Sequence, residues 1–194
     1  NAREFIASGF TVEGLESSSE AIAFTRAALP DLPIVQDSFP SPSVSKEKYS
    51  VLTMLDVLEH IDDDVAALQA AHDALVPGGT LLITVPAFQF LWTPHDELAH
   101  HKRRYRRSEL LNKIRQAGFE LQFVSYFNFF LFPPIALIRL LSLVFRRKST
   151  ESDFSRTPGF LNTFFARVFS FERFLLRHAA LPFGVSLIAV AKRP

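Results

Sequence analysis

The 194-residue chain is long enough for one domain with a full core, and its 48% hydrophobic content is that of a globular protein, not of a disordered or fibrous one. It contains no cysteine, which excludes a disulfide framework and any thiolate metal site and is compatible with a reducing compartment. The net charge of +1 hides an asymmetry: residues 1–99 carry 4 Lys or Arg against 15 Asp or Glu, residues 100–130 carry 7 against 2, and residues 131–194 carry 10 against 3.

In chain order, residues 1–8 read as the end of a helix closed by Gly9, where a left-handed residue is cheapest. Phe10 to Leu15 is a short strand, one of Ser17, Ser18 and Ser19 caps a helix running to about Leu29, and Pro33 to Gln36 is a brief strand ending at Asp37. Tyr49 to Leu55 is a continuous apolar run, as expected for a central strand covered on both faces. Asp62 is expected to cap the next helix, with Asp63 and Asp64 in a first turn that favours negative charge, and Pro77-Gly78-Gly79 to end it. Thr80 to Val85 returns as a strand. Strand, acidic turn, helix, break and strand make a right-handed βαβ unit of a parallel sheet. Ligands of such sheets sit outside the carboxyl ends of the strands, where Asp56, Glu59 and His60 fall. A polar linker with aromatics follows, then a helix capped by Ser108 and stopped by Gly118, a strand over Phe119 to Phe127, and a final strand over Val185 to Ala191.

Between the last two strands lies an insertion of Phe-rich, basic character; the chain has 21 Phe, most of them after residue 118. Tyr126 to Phe145 is nearly uncharged, but Pro133-Pro134 breaks it and leaves too few helical positions to span a bilayer. Residues 160–177 form an amphipathic helix with Leu161, Phe164, Phe165, Val168, Phe171 and Leu175 on one side and Thr163, Ser170, Arg173 and Arg177 on the other. Glu172 falls within the apolar arc and wants an arginine partner, for which Arg139 is the candidate. Such helices either dock as a lid or dimer surface or lie in a membrane interface, with Arg146, Arg147 and Lys148 facing anionic headgroups. The plainer reading of the basic end is a solvated face over an ordinary core.

The segments Asp56-Val-Leu-Glu-His-Ile61, Leu75-Val-Pro-Gly-Gly-Thr-Leu-Leu-Ile-Thr-Val-Pro86 and His95-Asp-Glu-Leu-Ala-His-His-Lys-Arg-Arg-Tyr105, in this order and spacing, resemble the class I S-adenosylmethionine-dependent methyltransferases. The resemblance covers residues 10–126 well, residues 184–192 by order only, and the insertion not at all. It implies an α/β, Rossmann-like, doubly wound and mostly parallel sheet of order 3-2-1-4-5-7-6 with an antiparallel last strand, a helical insertion at 127–183, and a single domain over 1–194. The family's glycine-rich loop is missing, because the chain begins inside the helix that should follow it. Residues upstream of Asn1 are expected to supply that loop and the first strand in a longer polypeptide.

The site residues follow. Glu16 ends a strand, where a carboxylate accepts both hydroxyls of a ribose; alone it would be a dipole-favoured surface residue. By resemblance, Glu16 with Ser17 holds the ribose of S-adenosyl-L-methionine, Asp37 and Ser38 meet adenine, and Met54 and Leu55 line the purine; Asp37-Ser38 is also an ordinary turn cap. Asp56, Glu59 and His60 have the types of a metal cluster, but capping and a histidine hydrogen bond are the simpler reading, so no metal is expected. The 95–105 stretch covers the acceptor site in the family. His95 and His101 are the base candidates for removing an acceptor proton, and Asp96, Arg103, Arg104 and Tyr105 the acceptor-binding candidates. Equally, Asp96 pairs with Arg103 or Arg104 and pins the loop.

The expected function is methyl transfer from S-adenosyl-L-methionine to a small, lipidic or isoprenoid acceptor, in the cytoplasm or at the inner face of the membrane, with a homodimer open and no nucleic-acid partner. The alternatives are a non-catalytic membrane-associated module with this fold and a nicotinamide-dependent reductase, which shares the strand-ending carboxylate but normally lacks the antiparallel closing strand.

Overall fold

The structure, a computed structural model, describes residues 2–145 and 159–194, with the side chains of 139–145 and 159–166 outside that description. Arg146, Arg147 and Lys148 lie outside the described residues. The chain divides into two compact units, residues 1–46 and 47–194.

In the first unit, α1 (Ala2–Ala7) ends at Gly9, whose φ of 86° a side chain would strain. The strands are shorter than expected: β1 is Gly14–Glu16 and β2 is Ile34–Gln36, joined by α2 (Ser19–Ala28). Of the three candidate serines Ser18 is the cap, its hydroxyl accepting from Ala21 N at 3.2 Å. The strands pair in parallel, with Glu16 opposite Gln36.

The second unit is built on a four-stranded sheet of order β3-β4-β6-β5. β3 (Tyr49–Leu55) and β4 (Leu75–Pro86) are parallel; β6 (Ser186–Lys192) runs antiparallel between β4 and β5 (Glu120–Phe127). Within this unit the order and the reversed last strand follow the expected 4-5-7-6 segment, and β1-β2 form the expected 2-3 pair. The described residues thus form two sheets in place of one continuous sheet. β3 is an edge of its sheet, and only Met54 is buried, so the expected burial on both faces is not found. Its apolar run is the mark of a central strand, yet no described strand pairs with its other edge.

Along β4, Leu81, Ile83 and Val85 are fully buried while the residues between them are half-buried; Leu187, Ala189 and Ala191 repeat this on β6. That alternation places one face beneath α3 (Asp64–Ala74) and α5 (Arg107–Gln116), whose Ala67, Leu68, Ala71, Leu110 and Ile114 are also buried. The helix α3 stops at Ala74, before the Pro-Gly-Gly, and its N-cap is Asp63, not Asp62, with Asp63 Oδ1 accepting from Ala66 N at 2.9 Å. Leu75 to Gly79 instead form a bulge, where Tyr49 faces Leu75 but Val51 already faces Thr80. Gly78 has φ 76°, and a Cβ on Gly79 would stand 2.8 Å from Val76 O, so both glycines serve the bulge. Ser108 is the second residue of α5, not its cap, which is Arg106 without a side-chain bond.

α6 (Phe132–Phe145) carries Pro133 and Pro134 in its first turn, where a missing N–H costs nothing, so the uncharged run is interrupted at the prolines as expected and leaves a helix of 14 residues. α7 is Gly159–Leu176, and no helix among the described residues is long and apolar enough to cross a membrane. Glu172, the buried residue of α7 among its described side chains, accepts from the backbone N–H of Asn128 and, at 3.0 Å, of Phe129, so backbone donors at the end of β5 fill the place expected of an arginine. The side chain of Arg139 lies outside the described residues. Phe171 is exposed along with Phe169 and Phe174, although the helical pattern placed it on the inward side. The inward side is turned toward Glu172.

Candidate functional site

In the first unit, Glu16 and Asp37 end neighbouring parallel strands, and Asp37 N donates to Glu16 O at 3.1 Å. The strand order thus brings these two acidic residues to one carboxyl edge. Glu16 Oε1 accepts from Ser18 N at 2.8 Å, which fixes the carboxylate against the start of α2; Ser17 O accepts from Gln36 Nε2 at 3.4 Å. Asp37 Oδ1 accepts from Ser38 N at 2.8 Å, and Oδ2 accepts from the Ser41 hydroxyl. The Ser41 hydrogen bond, then that of Ser38, holds Asp37 below the usual carboxylate range. Asp37 and Ser38 therefore form a turn cap, and the carboxylate keeps lone pairs for a further donor.

In the second unit, the carboxyl ends of β3 and β4 carry the remaining candidates. Met54 is buried and Leu55 half-buried. Asp56 follows with φ 54°, a left-handed conformation that Asp tolerates, and its N–H donates to Thr84 O at 3.0 Å. Leu58–His60 form a short 3-10 turn. The expected polar linker after Pro86 is ordered: a 3-10 turn at Gln89–Leu91 and the helix α4 (Pro94–Leu98), with a capping box in which Thr93 and Asp96 satisfy each other's backbone N–H. The pattern Thr93-Pro-His-Asp96 carries that signal, and the sequence reading missed it.

The 95–105 loop is clamped to the sheet and to the 58–64 turn. Tyr105 N donates to Pro86 O and Phe88 N to Tyr105 O, both at 2.9 Å, while Lys102 N donates to Glu59 O at 2.7 Å. Asp96 is fully buried; its carboxylate accepts Arg104 Nε and Nη2, each at 2.9 Å, and Thr93 N at 2.8 Å, and it meets His101 Nδ1 at 2.8 Å. Burial raises its pKa, but the bonds from Arg104, His101 and Thr93 outweigh this and leave it lowered. Asp64 is a second buried centre, accepting Arg103 Nη1 at 2.9 Å, Lys113 Nζ at 2.7 Å and the Tyr105 hydroxyl at 2.9 Å. Burial raises Asp64 too, and Lys113 and Tyr105 bring it down; the Tyr105 phenol is pushed well above its usual range by burial and by Asp64.

Of the acceptor-binding candidates, Asp96, Arg103, Arg104 and Tyr105 are thus engaged inside the loop and its support, the pinning role their charges also allowed. His95 is exposed on α4. His101, oriented by Asp96, lies edge-on to His60 with ring centroids 4.7 Å apart. Glu59 is fully buried, and neither of its carboxylate oxygens has a hydrogen-bond partner among the described residues. The expected cap is therefore not what holds it. Burial, reinforced by the charge of Asp56, pushes it up to about 8. Burial and His101 lower His60. Beyond the end of β4, Phe88, Phe90, Leu111 and Tyr126 with Arg106, Arg107 and Ser108 line an open cavity of about 590 Å³. None of these seven is among the site candidates of the sequence.

Residues 1–124 match the methyltransferase domain family. Among solved structures, an S-adenosylmethionine-dependent methyltransferase from Mesorhizobium loti aligns with a TM-score of 0.63 at 18% identity, over 99% of this chain and 85% of that one. A methyltransferase of the same description from Archaeoglobus fulgidus aligns at 0.60 and 12% identity, over 98% and 80%. Haemonchus contortus phosphoethanolamine N-methyltransferase 2, in complex with S-adenosyl-L-methionine, aligns at 0.61 and 18% identity, over 100% of this chain and 46% of that one. No curated protein matches the sequence. With a matched segment covering most of the sequence and an α/β fold shared with S-adenosylmethionine-dependent enzymes, the chain belongs to the methyltransferase domain family, class I, with a Rossmann-like fold.

Proposed function

We propose that the protein transfers a methyl group from S-adenosyl-L-methionine to a small, lipidic or isoprenoid acceptor. The observation that carries this is the pair Glu16 and Asp37 at one carboxyl edge of parallel strands. The donor set fits a nucleoside. Glu16 keeps one oxygen beyond its bond to Ser18 for ribose hydroxyls, with Ser17 beside it, and Asp37 with Ser38 offers a carboxylate for an amino group. In the second unit, Met54 and Leu55 are the candidates that the family resemblance gives for apolar contact with the cofactor. The sulfonium brings an already activated methyl, so the chain's own task is to orient the acceptor and exclude water. Where the acceptor must lose a proton, the bases are His95 and His101. Asp96, Arg103, Arg104 and Tyr105 act on the acceptor through the shape of the loop they hold. The cavity of Phe88, Phe90, Leu111 and Tyr126 supports an apolar acceptor, and Arg106 and Arg107 at its wall support an anionic group on it.

Calorimetric titration of the full chain with S-adenosyl-L-methionine, and separately with NADH, tests the reading. Saturable binding of the first alone, weakened by Glu16→Gln, is expected; binding of NADH would turn the assignment to the reductase, and binding of neither to the non-catalytic module.

A second reading concerns the 127–183 segment as a membrane contact. Phe130, Phe171 and Phe174 are exposed and adjacent, with ring centroids 5.9 Å and 6.5 Å apart along the series, beside exposed Arg173 and Arg177. Sedimentation with anionic liposomes is expected to fail for Phe171→Ser/Phe174→Ser; unchanged pelleting would leave the lid or a dimer surface.

A further inference from the structure

We infer that Glu59, His60 and His101 form a binding site for one divalent first-row transition-metal ion, with Asp96 as the residue that positions His101. Their ligand atoms all lie within 4.8 Å of one another. Glu59 is fully buried, with both oxygens unpartnered among the described residues. A buried carboxylate without donors is costly, and Arg104, the cation beside it, is committed in bidentate fashion to Asp96. A bound cation supplies the missing partner to Glu59 and turns the close contact of two imidazoles into a shared ligation.

The surroundings are those of a ligating histidine. His101 Nδ1 lies 2.8 Å from Asp96 Oδ1, so the carboxylate accepts a hydrogen bond from Nδ1–H, which leaves the Nε2 lone pair for a metal. Asp96 is held in turn by Arg104 and Thr93, which fixes the ring orientation. His60 is exposed, so an ion enters from solvent and keeps open coordination positions. One carboxylate and two imidazoles are a mixed nitrogen–oxygen set that suits Zn²⁺, Co²⁺ or Fe²⁺; Mg²⁺ and Ca²⁺ take oxygen ligands. This site stands on its own geometry and does not rest on the methyltransferase reading.

The full chain, stripped of metal with a chelator and dialysed, is titrated with Co²⁺ and followed by visible absorption. A saturable ligand-field spectrum at one equivalent is expected, displaced by Zn²⁺ and not by Mg²⁺. Glu59→Gln and His101→Asn each weaken binding at least about tenfold and Asp96→Asn about 10–100-fold. His178→Gln, a histidine on the Phe174 turn, leaves binding unchanged. Circular dichroism checks each fold; should Glu59→Gln unfold, His101→Asn carries the test, since its ring is partly exposed. A wild-type protein with no saturable spectrum, a Glu59→Gln protein that binds like wild type, or equal displacement by Mg²⁺ overturns the site. Calorimetry with S-adenosyl-L-methionine on the metal-free protein separates that failure from a failure of the proposed activity.

Discussion

Glu16 and Asp37 in the first unit are held by their own neighbours, whereas Asp64 and Glu172 in the second depend on residues from other elements. Glu16 and Asp37 accept from Ser18, Ser38 and Ser41, all within a few positions and none of them buried. Asp64 is buried and satisfied by Arg103, Tyr105 and Lys113, some forty to fifty positions away, and Glu59 is buried with neither carboxylate oxygen satisfied among the described residues. A locally held surface carboxylate can be altered without unfolding anything, so its effect on a ligand is separable from its effect on stability. A buried one is coupled to the fold, and its removal leaves charges or cavities behind.

That contrast is sharpest at Glu59. Its pKa is raised from the ordinary value to about 8 in the folded state, so between pH 4.5 and about 8 the folded protein binds more protons than the unfolded chain. Stability therefore falls as pH rises through this window and levels off above it. The full effect is roughly 4–5 kcal/mol at most, in a site shared with Asp56, His60, Asp96, His101 and Arg104. In chelator, urea unfolding of wild type is expected to show this slope and Glu59→Gln to lack it. Parallel curves would mean that Glu59 is solvated, and added Zn²⁺ should flatten the wild-type slope. Next in size is Asp64→Ala, expected to lose about 3 kcal/mol in urea unfolding because it strands Arg103 and Lys113. A loss below about 1 kcal/mol would place Asp64 with the surface carboxylates.

On the other side of the comparison, Glu16→Gln is expected to weaken S-adenosyl-L-methionine binding by about 2 kcal/mol, roughly thirtyfold, while moving the unfolding free energy by less than about 0.5 kcal/mol. A stability loss comparable to that of Asp64→Ala would erase the distinction between the two units. The smallest effect is at Ser18, whose replacement by Ala removes the cap of α2 and is expected to cost about 1 kcal/mol of stability.

Several elements were legible without coordinates. Tyr49–Leu55 matches its apolar run residue for residue, α7 is within one residue of its pattern, and the closing strand β6 is shifted by one. The boundaries that moved did so where two signals competed. Asp62, Asp63 and Asp64 each carry the chemistry of a cap, and only the chain path decides that Asp63 caps while Asp64 turns inward. Pro77-Gly78-Gly79 ends a helix or makes a bulge with equal local sense, and pairing with β3 selects the bulge. Glu172 looked like an error in an apolar face until the backbone N–H groups of Asn128 and Phe129 met it.

By itself the sequence determined most of the strands and helices and the residues at the strand ends, because spacing and turn chemistry act over a few positions, while the reversed last strand was legible only through the family resemblance. The tertiary structure alone decided which charges are spent on the fold and which remain for chemistry. Arg103 and Arg104 look the same on paper, yet one serves Asp64 and the other Asp96. Glu59 resembles any acidic turn residue until burial removes its water. Desolvation and pairing depend on contacts between distant parts of the chain, and no local pattern encodes them.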